Sequence, residues 1–108
     1  MKINIKPLSV NKAWCGRRFK TNDYKNFEFE LLLLLPNEYK IPDGKLELHL
    51  NWGFSSPLSD YDNPIKLVQD VLQKKYHFDD RRIFRGIIEK EIVKKGDEYI
   101  SFDFKKFK

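Results

Sequence analysis

The chain has 108 residues with a formal net charge of +5; 41% are hydrophobic, among them nine Phe, five Tyr and two Trp. That composition excludes a disordered or fibrous chain, and the length suits one domain, residues 1–108, with a single core. The longest apolar run, residues 31–35, is far short of the roughly 20 residues a membrane helix needs, and "MKINIKPLSV" lacks the apolar stretch of a signal peptide, so no membrane partner and a cytoplasmic location are expected.

In chain order, "KINIKP" alternates Ile3 and Ile5 with lysines and stops at Pro7, which predicts a short strand. Residues 7–22 show no sustained period and read as a loop. The basic excess sits here: residues 1–26 hold Lys2, Lys6, Lys12, Arg17, Arg18, Lys20 and Lys25 against Asp23, while the rest of the chain holds fourteen basic and fifteen acidic residues. Positive charge focused on one segment attracts polyanions, and Trp14, Phe19 and Tyr24 interleave it with rings that stack on bases. Lys12, Arg17, Arg18 and Lys20 are therefore candidate DNA contacts. The alternative is a solvated loop with its aromatics turned inward. Cys15 is the one cysteine, with no partner for a disulfide or a zinc site, and reads as a free thiol.

From Thr21 or Asn22, either a fitting N-cap, apolar residues at Tyr24, Phe27, Leu31 and Leu34 predict a helix ending before Pro36. A turn-rich connection leads to "KLELHLNW", where Leu46, Leu48, Leu50 and Trp52 alternate with Lys45, Glu47, His49 and Asn51, the pattern of a strand with one buried face. His49 reads as a solvated histidine of the polar face. A second helix begins at Pro64 with Asn63 as N-cap and buries Ile65, Val68, Leu72 and Tyr76, with Leu67 and Val71 beside them. "RIFRGIIEKEIVKK" and "EYISFDF", joined by a turn at Gly96 and Asp97, read as a β-hairpin. The order is β-α-β-α-β-β, an α/β sandwich with a mixed or antiparallel sheet and two helices.

Residues 59–80 gather Asp60, Asp62, Asp70, Asp79 and Asp80 in a basic chain. The dipole of the second helix is reason enough for acids at its start, Asp60 and Asp62, and Lys66 stands four residues from both Asp62 and Asp70. Asp79 and Asp80 follow the other end, where the dipole repels negative charge; a divalent cation joining the groups is one reason to place them there. An EF-hand fails on spacing, because counting from Asp60 the sixth position is Ile65 and the twelfth Val71, where glycine and glutamate are needed.

The arrangement D-x-D-N-x-x-K-x-x-x-D, here Asp60, Asp62, Asn63, Lys66 and Asp70, followed by an aromatic and the paired Asp79 and Asp80, resembles the RusA family of Holliday-junction resolvases. "PLSVNKAWCGRRFKT" is similar to the family's N-terminal segment, and the order of elements also agrees. The resemblance implies Mg²⁺ held by Asp60, Asp62 and Asp80, with Lys66 assisting catalysis; it leaves Asp70 and Asp79 without a fixed role. It further implies a homodimer that nicks two strands of four-way junction DNA in recombination and repair. The segment "GFSSPLS" before Asp60 lacks the arginines that some members carry. A silent junction-binding protein, and a metal-dependent nuclease for other branched or single-stranded DNA, are the alternatives.

Overall fold

The structure, a computed structural model, describes residues 1–8, 14–15 and 19–108, with Trp14, Cys15 and Phe19 by their backbone alone. Strand β1 spans Lys2–Ile3, and Ile3 and Ile5 turn into the core. Strands β2 (Trp14–Cys15) and β3 (Phe19–Lys20) pair antiparallel as a small separate ribbon, so the segment read as a basic DNA-binding loop carries local structure at its two described pieces. Lys12, Arg17, Arg18 and the thiol of Cys15 lie outside the described residues.

Helix α1 is Asn22–Leu34, capped as expected by Thr21, whose hydroxyl accepts the Tyr24 N–H at 3.2 Å. Tyr24, Phe27 and Leu31 are buried. Leu34 is not: it is 46% exposed, and Leu35, whose extended backbone leaves the helix, takes the core position. The helix has no basic residue in its last turn; Lys75 of the second helix supplies the cation, donating to the Leu32 carbonyl at 3.1 Å.

Strand β4 (Leu46–Phe54) is the centre of the sheet, its Leu46, Leu48, Leu50 and Trp52 buried against the helices. Helix α2 (Ile65–Tyr76) buries Leu67, Val68, Val71 and Leu72, with Ile65 and Tyr76 packed at the margin of the core. Asn63 does not cap it. Pro64 occupies the cap position, and the chain enters through backbone turns in which the Asp60 and Asp62 carbonyls accept the N–H groups of Asn63 (3.4 Å) and Ile65 (3.2 Å), leaving a side-chain cap no role. Left-handed His77 ends the helix, and a 3-10 turn, Asp80–Arg82, precedes β5 (Ile83–Ile92) and β6 (Tyr99–Lys106).

The last two strands are not a hairpin. The sheet order is β1-β6-β4-β5, with β5 parallel and β6 antiparallel to the β4 between them. Alternation shows that one face of a strand is buried and leaves its neighbours open; residues 93–98 are long enough to pass the end of β4, where the Val93 N–H donates to the Phe54 carbonyl at 2.7 Å. Strand β5 becomes an edge, largely exposed and charged, which discourages pairing with another chain. Among the described residues the result is a small α/β domain: a four-stranded mixed sheet, two helices over one face, and one apolar cluster between them, with the β2–β3 ribbon apart.

Candidate active site

Residues 55–64 pass from the end of β4 to α2 in tight turns and carry Asp60 and Asp62, both exposed. Two contacts fix this segment from below. The buried Trp52 donates its indole N–H to the Tyr61 carbonyl, and Lys90 of β5 donates to the Ser59 carbonyl at 2.7 Å. The alternation of β4 marks Trp52 as buried but gives no sign of its hydrogen bond, and nothing in the sequence around Lys90 singles it out.

Exposed Lys66 is the second residue of α2, four positions after Asp62, which stays in the turn that leads into the helix. Asp80 comes back onto the same helix, where Gln69 donates to its carboxylate at 3.4 Å. Asp70 is half-buried beside them. Burial pushes its carboxyl above the ordinary range, Lys66 opposes that, Asp80 adds to it, and Lys74 and Lys20 oppose it in turn. Asp70 thus stands in the field of four charges drawn from β3, α2 and the 3-10 turn.

Asp79 has another occupation. Its carboxylate accepts the Arg81 backbone N–H at 2.9 Å as the cap of the 3-10 turn and also receives the Arg81 guanidinium, with contacts of 2.8 to 3.2 Å. The Arg81 side chain, with its backbone N–H adding to the effect, holds the Asp79 carboxyl down at about 2.

Lys20 is the described member of the predicted DNA contacts. Its ammonium lies 3.1 Å from Glu28 and 4.9 Å from the centre of the Tyr24 ring, while Lys74 reaches the same Glu28 oxygen at 2.9 Å. The base of the basic arm is thereby tied to both helices beside Asp70. His49, on the polar sheet face as expected, contacts Glu47 at 2.6 Å.

On its other side Asp60 lines a cleft of about 770 Å³ bounded by residues 5–8, α1 and the 55–64 segment. Asp23, Glu30 and Glu98 share its wall with Lys6. That wall is acidic on balance, whereas the charges around Asp70 include Lys66, Lys74 and Lys20.

Among the described residues no three of His, Cys, Asp or Glu are gathered closely enough to hold a metal ion together. The fit to Mg²⁺ lies in donor chemistry. Asp60, Asp62 and Asp80 are exposed carboxylates, and none has an ion-pair partner among the described residues. Mg²⁺ takes a few such oxygens and completes its shell with water and substrate phosphate. No helix among the described residues is long and apolar enough to cross a membrane. Compared with known proteins, the chain matches no family model, and no curated protein matches it in sequence.

Proposed function

We propose that the chain is a RusA-like, Mg²⁺-dependent endodeoxyribonuclease that acts on four-way junction DNA as a homodimer. The observation that supports this reading is the return of Asp80 to Gln69 of α2, beside Asp70, whose carboxyl feels the charges of Asp80, Lys66 and Lys20, the base of the basic arm. A solvated acidic turn gives no reason for Asp80 to return to the helix or for a basic ribbon to be fastened there. A silent DNA-binding protein gains nothing from three exposed carboxylates near phosphate.

In this reading Asp60, Asp62 and Asp80 hold the cation. Bound there, Mg²⁺ supplies a Lewis acid that activates water and shields the phosphate. The Lys66 ammonium neutralises charge that develops on the phosphate oxygens during displacement, where a fixed cation is worth more than in bulk water. The basic arm binds the DNA backbone. A two-fold dimer matches the two-fold symmetry of a junction and presents two sites for two nicks.

The test is cleavage of a synthetic four-way junction beside a duplex of the same sequence, with Mg²⁺ and with EDTA. Paired symmetric nicks in the junction alone are expected, with Asp60→Asn, Asp62→Asn and Asp80→Asn each losing cleavage by several orders of magnitude. In EDTA those variants bind the junction as tightly as the wild type or tighter, because a negative charge facing phosphate has gone. Near-normal cutting by the variants overturns the metal assignment; stronger cutting of flapped or single-stranded DNA overturns the junction preference and leaves the nuclease.

A further inference from the structure

The far end of β4 from the Asp60 segment carries a second arrangement of rings and cations. Leu46 pairs with Ile83 but Glu47 pairs with Arg85, so Phe84 is the extra residue of a β-bulge. Bulges re-aim side chains, and Phe84 is 55% exposed. Phe107 stacks on it with centroids 5.7 Å apart and planes inclined at 29°. Phe107 is itself fixed, its N–H donating to the Lys45 carbonyl at 2.9 Å.

Both rings bear cations. The Lys45 ammonium lies 4.9 Å from the Phe84 centroid, and the Arg85 guanidinium lies 4.9 Å from that of Phe107. Lys105, Lys106 and Lys108 flank Phe107 in the chain. Glu47, a carboxylate of this corner, is already shared by Arg85 at 3.0 Å and His49 at 2.6 Å. The corner is a flat aromatic plate bordered by excess positive charge.

We propose that this plate binds an unpaired nucleic-acid strand, stacking a base on Phe84 while Lys45, Arg85 and the lysines around Phe107 contact the flanking phosphates. Each part of the surface has its counterpart in that ligand. Every base has a π face for an exposed ring, and the backbone supplies the anions. Duplex DNA offers the same phosphates but keeps its base faces stacked away, and an apolar protein partner would have to bury the cations without compensation. The proposal is independent of cleavage and of the Asp60 segment.

The test is fluorescence anisotropy in EDTA with a labelled thymidine oligonucleotide of about 15 nucleotides, a length suited to such surfaces, beside a duplex of equal length. The whole chain is used. Phe84→Ala is expected to weaken the single strand roughly ten-fold, the scale of removing one base stack, with duplex affinity unchanged. Lys105→Gln with Lys106→Gln is expected to flatten the salt dependence by about 0.7 per phosphate released. Phe84→Trp, which keeps a ring, retains strand affinity and adds an indole fluorescence, read as the difference from the wild type with its Trp14 and Trp52, that the oligonucleotide quenches. Equal strand affinity for Phe84→Ala, or no quenching of the introduced indole, overturns the proposal. So does a change of oligomeric state in Phe84→Ala at unaltered strand affinity, which makes the plate a contact between copies of the chain.

Discussion

The indole N–H of Trp52 donates to the carbonyl of Tyr61 at 2.5 Å, so the residue between Asp60 and Asp62 hangs from a side chain with no exposure to solvent. A rigid sheet thereby positions two carboxylates that sit on an exposed turn. Trp52→Phe keeps most of the ring and removes the donor. Its stability cost is expected to be on the order of 1–2 kcal/mol, the bond plus a small change of volume. Under the proposed function the larger effect falls on cleavage, which should need more Mg²⁺ because the two carboxylates are less well placed. Chemical denaturation and a Mg²⁺ titration of cleavage, at conditions where both proteins are folded, check this. An unchanged titration would show that the hydrogen bond serves the fold alone.

Asp79 and Asp80 are neighbours with different duties. The Asp79 carboxylate is engaged by the Arg81 side chain and backbone, whereas Asp80 meets Gln69 on α2. Asp79→Asn is expected to cut junction DNA within several-fold of the wild type, and Asp80→Asn to lose cleavage by orders of magnitude. Because the Asp79 carboxyl is held at about 2, it stays ionised throughout any usable assay range and adds no step to the pH profile. Single-turnover rates of the two variants decide the matter. Equal losses would sink the division of roles.

Local structure is readable in the sequence because its signals are local. Thr21 before α1, the strict alternation of β4 and the apolar face of α2 are each set by residues within a few turns of one another. The position of β6 depends on something else: whether it folds back on β5 as a hairpin or crosses to the free edge of β4, a choice that the Gly96-Asp97 turn does not determine. Leu34 and Leu35 are hard to separate for a related reason, since five consecutive leucines fit a helical face at either residue until the chain's exit is known. At the site, the spacing of Asp60, Asp62 and Lys66 can be read along one helix start. The return of Asp80 to Gln69, the Trp52 hydrogen bond and the Lys90 support cross between elements and leave no periodic trace.

Gly53 is set by a ring that lies across it. A Cβ at this position would stand 2.3 Å and 2.5 Å from two Tyr99 ring carbons, and Tyr99 is the cross-strand partner of Gly53. The ring is buried and carries the Lys2 ammonium at 4.3 Å, so it has little freedom to move. Gly53→Ala is expected to destabilise the protein by about 1–3 kcal/mol, the usual scale of overpacking. Adding Tyr99→Ala should relieve the clash, so the two losses are not additive. A double-mutant cycle by urea denaturation measures this. Additive losses would mean that the strand backbone, and not the ring, absorbs the added methyl group.

Lys20 and the arginines of the arm should separate by what they stabilise. Burial pushes the Glu28 carboxyl up, but the hydrogen bonds from Lys74 and Lys20 outweigh it and the net position is below the ordinary 4.5. An acid lowered in the native state contributes stability that is full above its unfolded pKa and disappears as pH falls through the native one. Glu28→Gln is therefore expected to be less stable than wild type at pH 7, by about 0.5–1 kcal/mol for partly exposed pairs, with the difference closing as pH drops below 4.5. Lys20→Gln should show part of the same loss, since Lys20 shares Glu28 with Lys74. Arg17→Gln with Arg18→Gln should leave the melting curve unchanged and instead flatten the salt dependence of DNA binding by about two units, near 0.9 for each phosphate no longer neutralised on duplex arms. Thermal melts across pH and binding titrations across salt, run on the same variants, separate the two roles. A flattened salt slope for Lys20→Gln as large as one arginine gives would show that its ammonium leaves Glu28 for the DNA; no change with either arginine would show that the arm's charges are only solvated.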